Sequence, residues 1–466
     1  MLNDEINKIA INFYKIYINP LKNTDIGFEY KYYYYNSYPC LIIVKYDDNN
    51  FLIISNEKKS FPILAYSDEE SFSDNIPPNV LYWLDLYSER IINLKSKNIT
   101  EDTLWLYLIN DKEKKGVLNG KGPLLTTKWG QSISNDELDA YAYNYYMPSG
   151  DNCLHTLVGC PAVAAGQIIK YFKYPECDIF NYELMSDKLI TSTVNYLQNK
   201  KEISNLLRNI GDKMNVTGNY YGCDASGTTA DVIYNVLKSD FSFFYAQLIE
   251  RNNYGINEWK NLLVNELENN RPILYMGYSI SSGGHAFVCD GYKDLTFGKK
   301  FHFNFGWNGN YNGYYRINNP LGFSINQKAI INLQPYNCNS YLEIHQSDKY
   351  PLFNIINYDN PVAGTIYSSP TFVKLENNEI VHYKAYNEII LENFETGDNT
   401  IFIAEIVPCY LCNFIDYKNF DKPIMLELKN FVDSNVITKV FPNPFNSTIN
   451  IITESNETIV SLYDIF

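Results

Sequence analysis

The sequence predicts an α+β protein. Within residues 123–335 the helix-like segments, 160–173, 200–214 and 227–238, come before the strand-like ones, 272–278, 285–292 and 299–305. Helices first and strands later imply helices packed on a mostly antiparallel sheet. With hydrophobic residues at 45% and aromatic residues at 16%, the 466-residue chain can also build a large core, and its length suits two to four domains.

Residues 1 to about 115 open on an amphipathic helix in which Ile6, Ile9, Phe13 and Ile16 recur at spacings of three and four. PCLIIVKYDDNNFLIIS (39–55) reads as two apolar strands around an Asp-Asp-Asn-Asn turn, and NVLYWLDLYSERIINLKSK (79–97) returns to helix. NDKEKKGVLNGKG (110–122) breaks the pattern and is expected to be an exposed, protease-accessible linker. Beyond about 340, short apolar runs between Asn, Asp, Pro and Gly predict a β-rich region. There are no internal repeats. The organisation read from these shifts is a domain and linker over 1–120, a second domain over 121–336, a β-rich region over 337–436 and a terminal segment over 437–466.

A net charge of −15 argues against general nucleic-acid binding and against docking on anionic lipid, and no run approaches the roughly 18 apolar residues of a membrane span. The start, MLNDEINKIAINFYKIYINP, lacks the basic and apolar regions of a signal peptide, which leaves an internal protein or a start that is not the true one. Nine cysteines, at 40, 153, 160, 177, 223, 289, 338, 409 and 412, leave at least one thiol unpaired. Cys409 and Cys412 form a lone C-x-x-C without a second ligand pair, so a zinc site is not expected.

The chemistry starts at GCPAVAAGQIIKYFKYP (159–175). Pro161 suits a first helical turn and places Cys160 at the helix N-terminus. There the peptide dipoles favour an anion, and cysteines so placed have pKa values lowered from about 8.5 into roughly the 3.5–7.5 range. A packed, inert thiol is the plain alternative. A thiol nucleophile needs a base and a group that orients it. Among five histidines, His285 stands out in SSGGHAFVCDGYKD, where Gly283 and Gly284 permit close approach at the mouth of a strand. Asn304, one strand and a turn later in FHFNFGWNGNYNGYYRINN, is placed to accept from one imidazole nitrogen, with Phe305 and Trp307 as apolar cover. The same stretch also reads as an ordinary hairpin core. The Cys160 N–H and the Gln131 side chain are the candidate oxyanion donors.

PLLTTKWGQ, GCPAVAAGQIIKYFKYP, YYGCDASGTTADVIYNVL, GGHAFVCDGY and FNFGWNGNYNGYYRI, in that order over about 123–335, resemble the streptopain family of bacterial cysteine peptidases (family C10). The resemblance implies a papain-like fold, Cys160 as nucleophile, His285 as general base, Asn304 as the orienting residue, and Ser226 and Gly227 in a loop bordering the substrate cleft. Gly283, Gly284, Phe305 and Trp307 fall beside it. It further implies an inhibitory prodomain over 1–120, no cofactor, polypeptide substrates, and a zymogen cut within 110–122. VFPNPFNSTINI resembles the sorting domain of the type IX secretion machinery, which implies a secreted or cell-surface protein. Three positions depart from the family pattern: Phe305 where Trp is usual, Pro161 for a common Val, and Met276 for a Gln. The rival expectations are an inactive peptidase-like adhesion or binding protein and a Cys–His transferase.

Overall fold

The computed structural model describes residues 3–21, 25–110, 117–296 and 298–336, together with shorter stretches between 341 and 461. The chain divides into two compact units, residues 1–334 with 413–422, and residues 335–412 with 423–466.

The first unit begins with helix α1 (Asn3–Phe13), whose Ile6, Ile9, Ala10 and Phe13 are buried as their spacing predicts. Strands β1 (Phe28–Tyr35), β2 (Tyr38–Tyr46), β3 (Phe51–Ser55) and β4 (Ile63–Ser67) form an antiparallel run, the expected turn lying between β2 and β3. β2 and β3 are buried nearly throughout, which is why they read as continuous apolar runs rather than alternating ones. Helix α2 (Pro78–Lys95) buries Val80, Trp83, Leu84, Tyr87 and Ile91, and α3 (Leu104–Asn110) packs with α1.

Strand β5 (Val117–Lys121) lies inside the stretch expected to be an exposed linker, and it pairs with the strand Gly283–Leu295. Pairing uses main-chain groups, so a strand can form here without the apolar pattern that the sequence reading sought. Helices α4 (Cys160–Phe172), α5 (Tyr196–Met214) and α6 (Ala230–Asn235) come first, then strand β6 (Gln247–Glu250) and helix α7 (Ile256–Glu268), then strands β7 (Ile273–Ser279), β8 (Gly283–Leu295), β9 (Gly298–Asn304), β10 (Gly313–Tyr315) and β11 (Ile325–Ile331). These strands pair antiparallel, so the α+β class read from the sequence stands.

Among the described residues one eleven-stranded sheet runs β1-β2-β3-β4-β10-β9-β8-β7-β11-β6, with β5 beside β8. The expected boundary near residue 120 therefore does not separate compact units, because β4 meets β10 at Tyr66 and Tyr314, whose rings stack 4.8 Å apart. A shared core reinforces the seam: Trp83 lies edge-on to Tyr315 at 5.9 Å and donates from Nε1 to the Asn319 carbonyl at 3.1 Å. Burying a large apolar side chain contributes about 1.5–3 kcal/mol, so this seam is held as a domain core is held.

In the second unit, strands Tyr341–Ile344, Ala363–Ser368, Ile380–Leu391 and Ile401–Ile406 pair parallel, in keeping with a β-rich region. The sorting segment inferred over 437–466 lies, apart from strands Asn450–Ile451 and Val460–Ser461, outside the described residues. No described helix is long and apolar enough to cross a membrane.

Candidate active site

Cys160 is the first residue of α4, followed by Pro161 at a position where a missing N–H costs nothing. The turn into the helix depends on Gly159, whose φ is +81°. A Cβ there would lie 2.5 Å from the Ser226 carbonyl oxygen, so the loop carrying Ser226 can come this close only to a glycine. Ser226 fastens that loop by donating from Oγ to the Leu157 carbonyl at 2.6 Å and accepting from the Gly222 N–H at 2.9 Å. A disulfide between Cys153 and Cys223 joins the same two segments. Cys177 also takes part in a disulfide, whereas Cys40, Cys160 and Cys289 are free thiols.

α4 packs against β8, which places the Cys160 thiol beside the strand that carries His285. The N–H of Ala286, next to His285 in β8, points at Cys160 Sγ at 3.4 Å. Gln131, Cys160, Ser226, Gly284, His285 and Trp307 line one cleft of about 200 Å³. The Gln131 amide makes no hydrogen bond among the described residues and is free to serve a bound oxyanion. Gly227 and Gly283 are not among the cleft-lining residues; Gly227 donates its N–H to the Tyr220 carbonyl, and Gly283, with φ +79°, starts β8.

His285 is held by a group that the sequence reading missed. Its Nε2 lies 2.9 Å from the Phe305 carbonyl oxygen, which accepts from the ring N–H, and the Trp307 indole stacks on the imidazole at 4.8 Å. The expectation that Asn304 orients the histidine is corrected: in the β8–β9 register Asn304 faces Val288, three residues beyond His285. Its amide instead donates to the Thr127 carbonyl at 2.7 Å and to Gln167 at 3.2 Å, while its Oδ1 accepts from the Gly306 N–H at 3.1 Å. Gln167, on α4, also accepts from the Trp129 N–H at 3.2 Å. Asn304 thus ties together the segment that carries Gln131, the helix that carries Cys160 and the turn that carries Phe305 and Trp307. Phe305, expected at the cleft, is fully buried and contributes its backbone there.

Electrostatics correct a second expectation. Cys160 retains partial exposure, yet burial of its surroundings pushes the thiol up to about 11, with the Ala286 N–H only partly offsetting this. Burial likewise lowers His285 to about 4, against the Phe305 carbonyl. Desolvation is the largest cause at both groups, and it favours the neutral thiol and the neutral imidazole. The N-terminal half of the first unit contributes to this enclosure. Asn79, in the first turn of α2, lines the cleft and donates to the Leu321 carbonyl at 3.4 Å.

The segment preceding α2 makes further contacts. Lys128 binds Glu69 at 3.3 Å and Glu70 at 2.6 Å, Lys188 binds Glu70 at 3.0 Å, and Lys293 pairs with Asp68. Glu69 also meets His302 Nε2 at 2.8 Å, and His302 Nδ1 meets Asp290 at 2.6 Å. Burial alone would lower His302, but the two carboxylates raise it to about 10. Burial alone would raise Glu69, but His302 and Lys128 hold it at about 2.

Residues 4–91 match the Spi protease inhibitor family, and residues 176–315 match the Peptidase C10 family. The second match includes His285 and Asn304 and begins beyond Cys160. The chain is 27% identical over 329 residues to the thiol protease/hemagglutinin PrtT of Porphyromonas gingivalis, a match covering 62% of this chain and 36% of that protein. It is 26% identical over 325 residues to streptopain of Streptococcus pyogenes, covering 61% of this chain and 78% of the relative. Its fold resembles that of a Prevotella intermedia prointerpain A fragment, with a TM-score of 0.50 at 24% identity, covering 67% of this chain and all of the fragment. The chain is therefore similar to Peptidase C10 proteins over 176–315 and to Spi protease inhibitors over 4–91.

Proposed function

We propose that the chain is a cysteine endopeptidase made as a zymogen, whose first 120 or so residues are its own inhibitor. The observation that carries this reading is the meeting of Cys160, His285 and Gln131 in one cleft whose edge also holds Asn79 of the Spi-like region. In the reaction, His285 takes the Cys160 proton, the thiolate attacks a peptide carbonyl, and the Cys160 N–H with the Gln131 amide receives the oxyanion. His285 then protonates the leaving amine, and water resolves the thioester. Phe305 and Trp307 hold the imidazole in place; Asn304 positions the segments that carry them.

The high thiol and low imidazole values belong to the covered state. Removal of the N-terminal region restores water to the cleft and relieves the desolvation that keeps the pair neutral. Cleavage within 110–122 is the proposed activating step. The likeness of VFPNPFNSTINI to a type IX sorting segment supports export by that route.

The test is fluorogenic casein hydrolysis by the full chain and by a fragment beginning near Gly122, each with Cys160 intact or replaced by Ala, with and without a thiol-reactive epoxide. Activity is expected only in the shortened chain with Cys160 and without epoxide. A folded, silent fragment would overturn the reading in favour of a peptidase-like binding protein.

A further inference from the structure

Away from the candidate active site, a cavity of about 260 Å³ lies where the turn into β4 meets β9, the end of β10 and the start of α7. Its lining includes Phe61, Lys260, Lys299, Lys300 and Arg316, and no carboxylate. That is unusual on a chain of net charge −15. Lys299 is paired with Asp294 at 3.2 Å, but Lys260, Lys300 and Arg316 have no carboxylate partner among the described residues.

Lys300 is 1% exposed, and its Nζ donates to the Leu64 carbonyl at 2.8 Å, using one of three N–H bonds. Arg316 lies over the Phe61 ring at 4.1 Å, a contact that leaves the in-plane guanidinium N–H groups available. Burial, with Arg316 nearby, drives the Lys300 ammonium well below its ordinary pKa. A buried cation without a counterion is costly. An anion in the cavity removes that cost for Lys300 and Arg316 together.

We propose that this cavity binds a multiply charged tetrahedral oxyanion, a phosphate or a sulfate group, between Lys260, Lys300 and Arg316. Arg316 supplies paired N–H donors, the geometry suited to such oxygens, and the two lysines supply point charges. The occupant bridges the Phe61–Leu64 turn and the β9–β10 strands. By linkage it stabilises the arrangement in which those segments are together. On the zymogen reading, the same linkage slows release of the N-terminal region.

Isothermal titration calorimetry on the full chain at low salt, with inorganic phosphate and with sulfate in separate arms and sodium chloride matching the ionic strength, tests the site. One saturable site is expected, accompanied by a rise in thermal midpoint that sodium chloride does not give, and the tighter arm identifies the group. Arg316→Gln should weaken binding at least tenfold. Because Arg316 packs on Phe61, Lys260→Gln serves as a second variant on a partly exposed helix position, and it should also weaken binding several-fold. Lys173→Gln, far from the cavity in sequence and ion-paired with Glu183, should change nothing. No saturable heat with either anion, or binding equally tight in Lys260→Gln, would overturn the site. Neither outcome depends on peptidase activity, so failure here leaves the proposed function untouched.

Discussion

His285 and His302 are both buried, on the paired strands β8 and β9, yet the first is lowered to about 4 and the second raised to about 10. The difference lies in their partners. His285 meets a neutral carbonyl and three aromatic rings, and the carbonyl offsets desolvation only in part. His302 sits between Asp290 and Glu69, whose charges outweigh the same desolvation. The comparison teaches that burial without a charged partner favours the neutral form of one histidine, whereas two carboxylates override burial and hold a proton on the other, where the Spi-like region meets the peptidase-like one.

The largest expected effect falls on the neutral pair. Cys160→Ala should lower casein hydrolysis by the shortened chain about a thousandfold or more, while the thermal midpoint of the full chain holds steady, because a neutral thiol leaves no charge unpaired. Retained hydrolysis would end the nucleophile assignment. On the charged side, Glu69→Gln removes one of two carboxylates from His302 and one from Lys128. Since Glu69 is partly solvated, a loss of about 1–3 kcal/mol in unfolding free energy is expected, together with faster release of the N-terminal region. Denaturant titration measures the first, and an unchanged midpoint would mean that the cluster does not fix the seam.

Asn304→Ala connects the two sides, for it strands buried groups on Thr127 and Gln167 without touching either histidine. Expected are about 1–3 kcal/mol of destabilisation and a kcat reduced about tenfold with KM little changed. A shifted pH profile of kcat would separate positioning of Phe305 and Trp307 from plain loss of stability.

Proton linkage sharpens the contrast. His302 binds its proton more tightly folded than unfolded, so its contribution is complete below about pH 6.5 and is lost as pH rises toward 10. His285 binds its proton more weakly when folded, so its contribution is present above about pH 6.5 and is lost as pH falls toward 4. The thermal midpoint of the full chain should therefore fall on both sides of neutrality, and Glu69→Gln should flatten the alkaline limb together with the part of the acid limb below about pH 4.5, where Glu69 itself takes up its proton. The smallest effect is expected at the exposed Lys173–Glu183 pair, where Lys173→Ala should change stability by less than about 0.5 kcal/mol.

Much of this arrangement was legible along the chain. Pro161 and the apolar run behind it located Cys160 at a helix start, and the two glycines before His285 located a histidine at a strand start; both follow from local propensity and period. Gln131 reached the expected cleft, and α1, α2 and the β2–β3 pair formed where their patterns indicated. What was missed has a common physical cause. The Phe305 carbonyl has no side-chain signature, and Asn79 is an unremarkable amide until α2 is laid across the cleft. The β5 strand is specified by the edge it pairs with rather than by its own residues.

The sequence by itself determined the α+β class, the apolar faces that form the core, and the kinds of groups available for thiol chemistry, since these depend on neighbours a few residues apart. Only the tertiary structure decided which of those groups meet, that Asn304 braces three segments rather than the imidazole, and that burial raises the Cys160 thiol where a helix start by itself would lower it. Those outcomes depend on which distant segments are packed around each atom. Desolvation and pairing act through space, between groups such as Glu69 and His302 that lie more than two hundred residues apart in the chain.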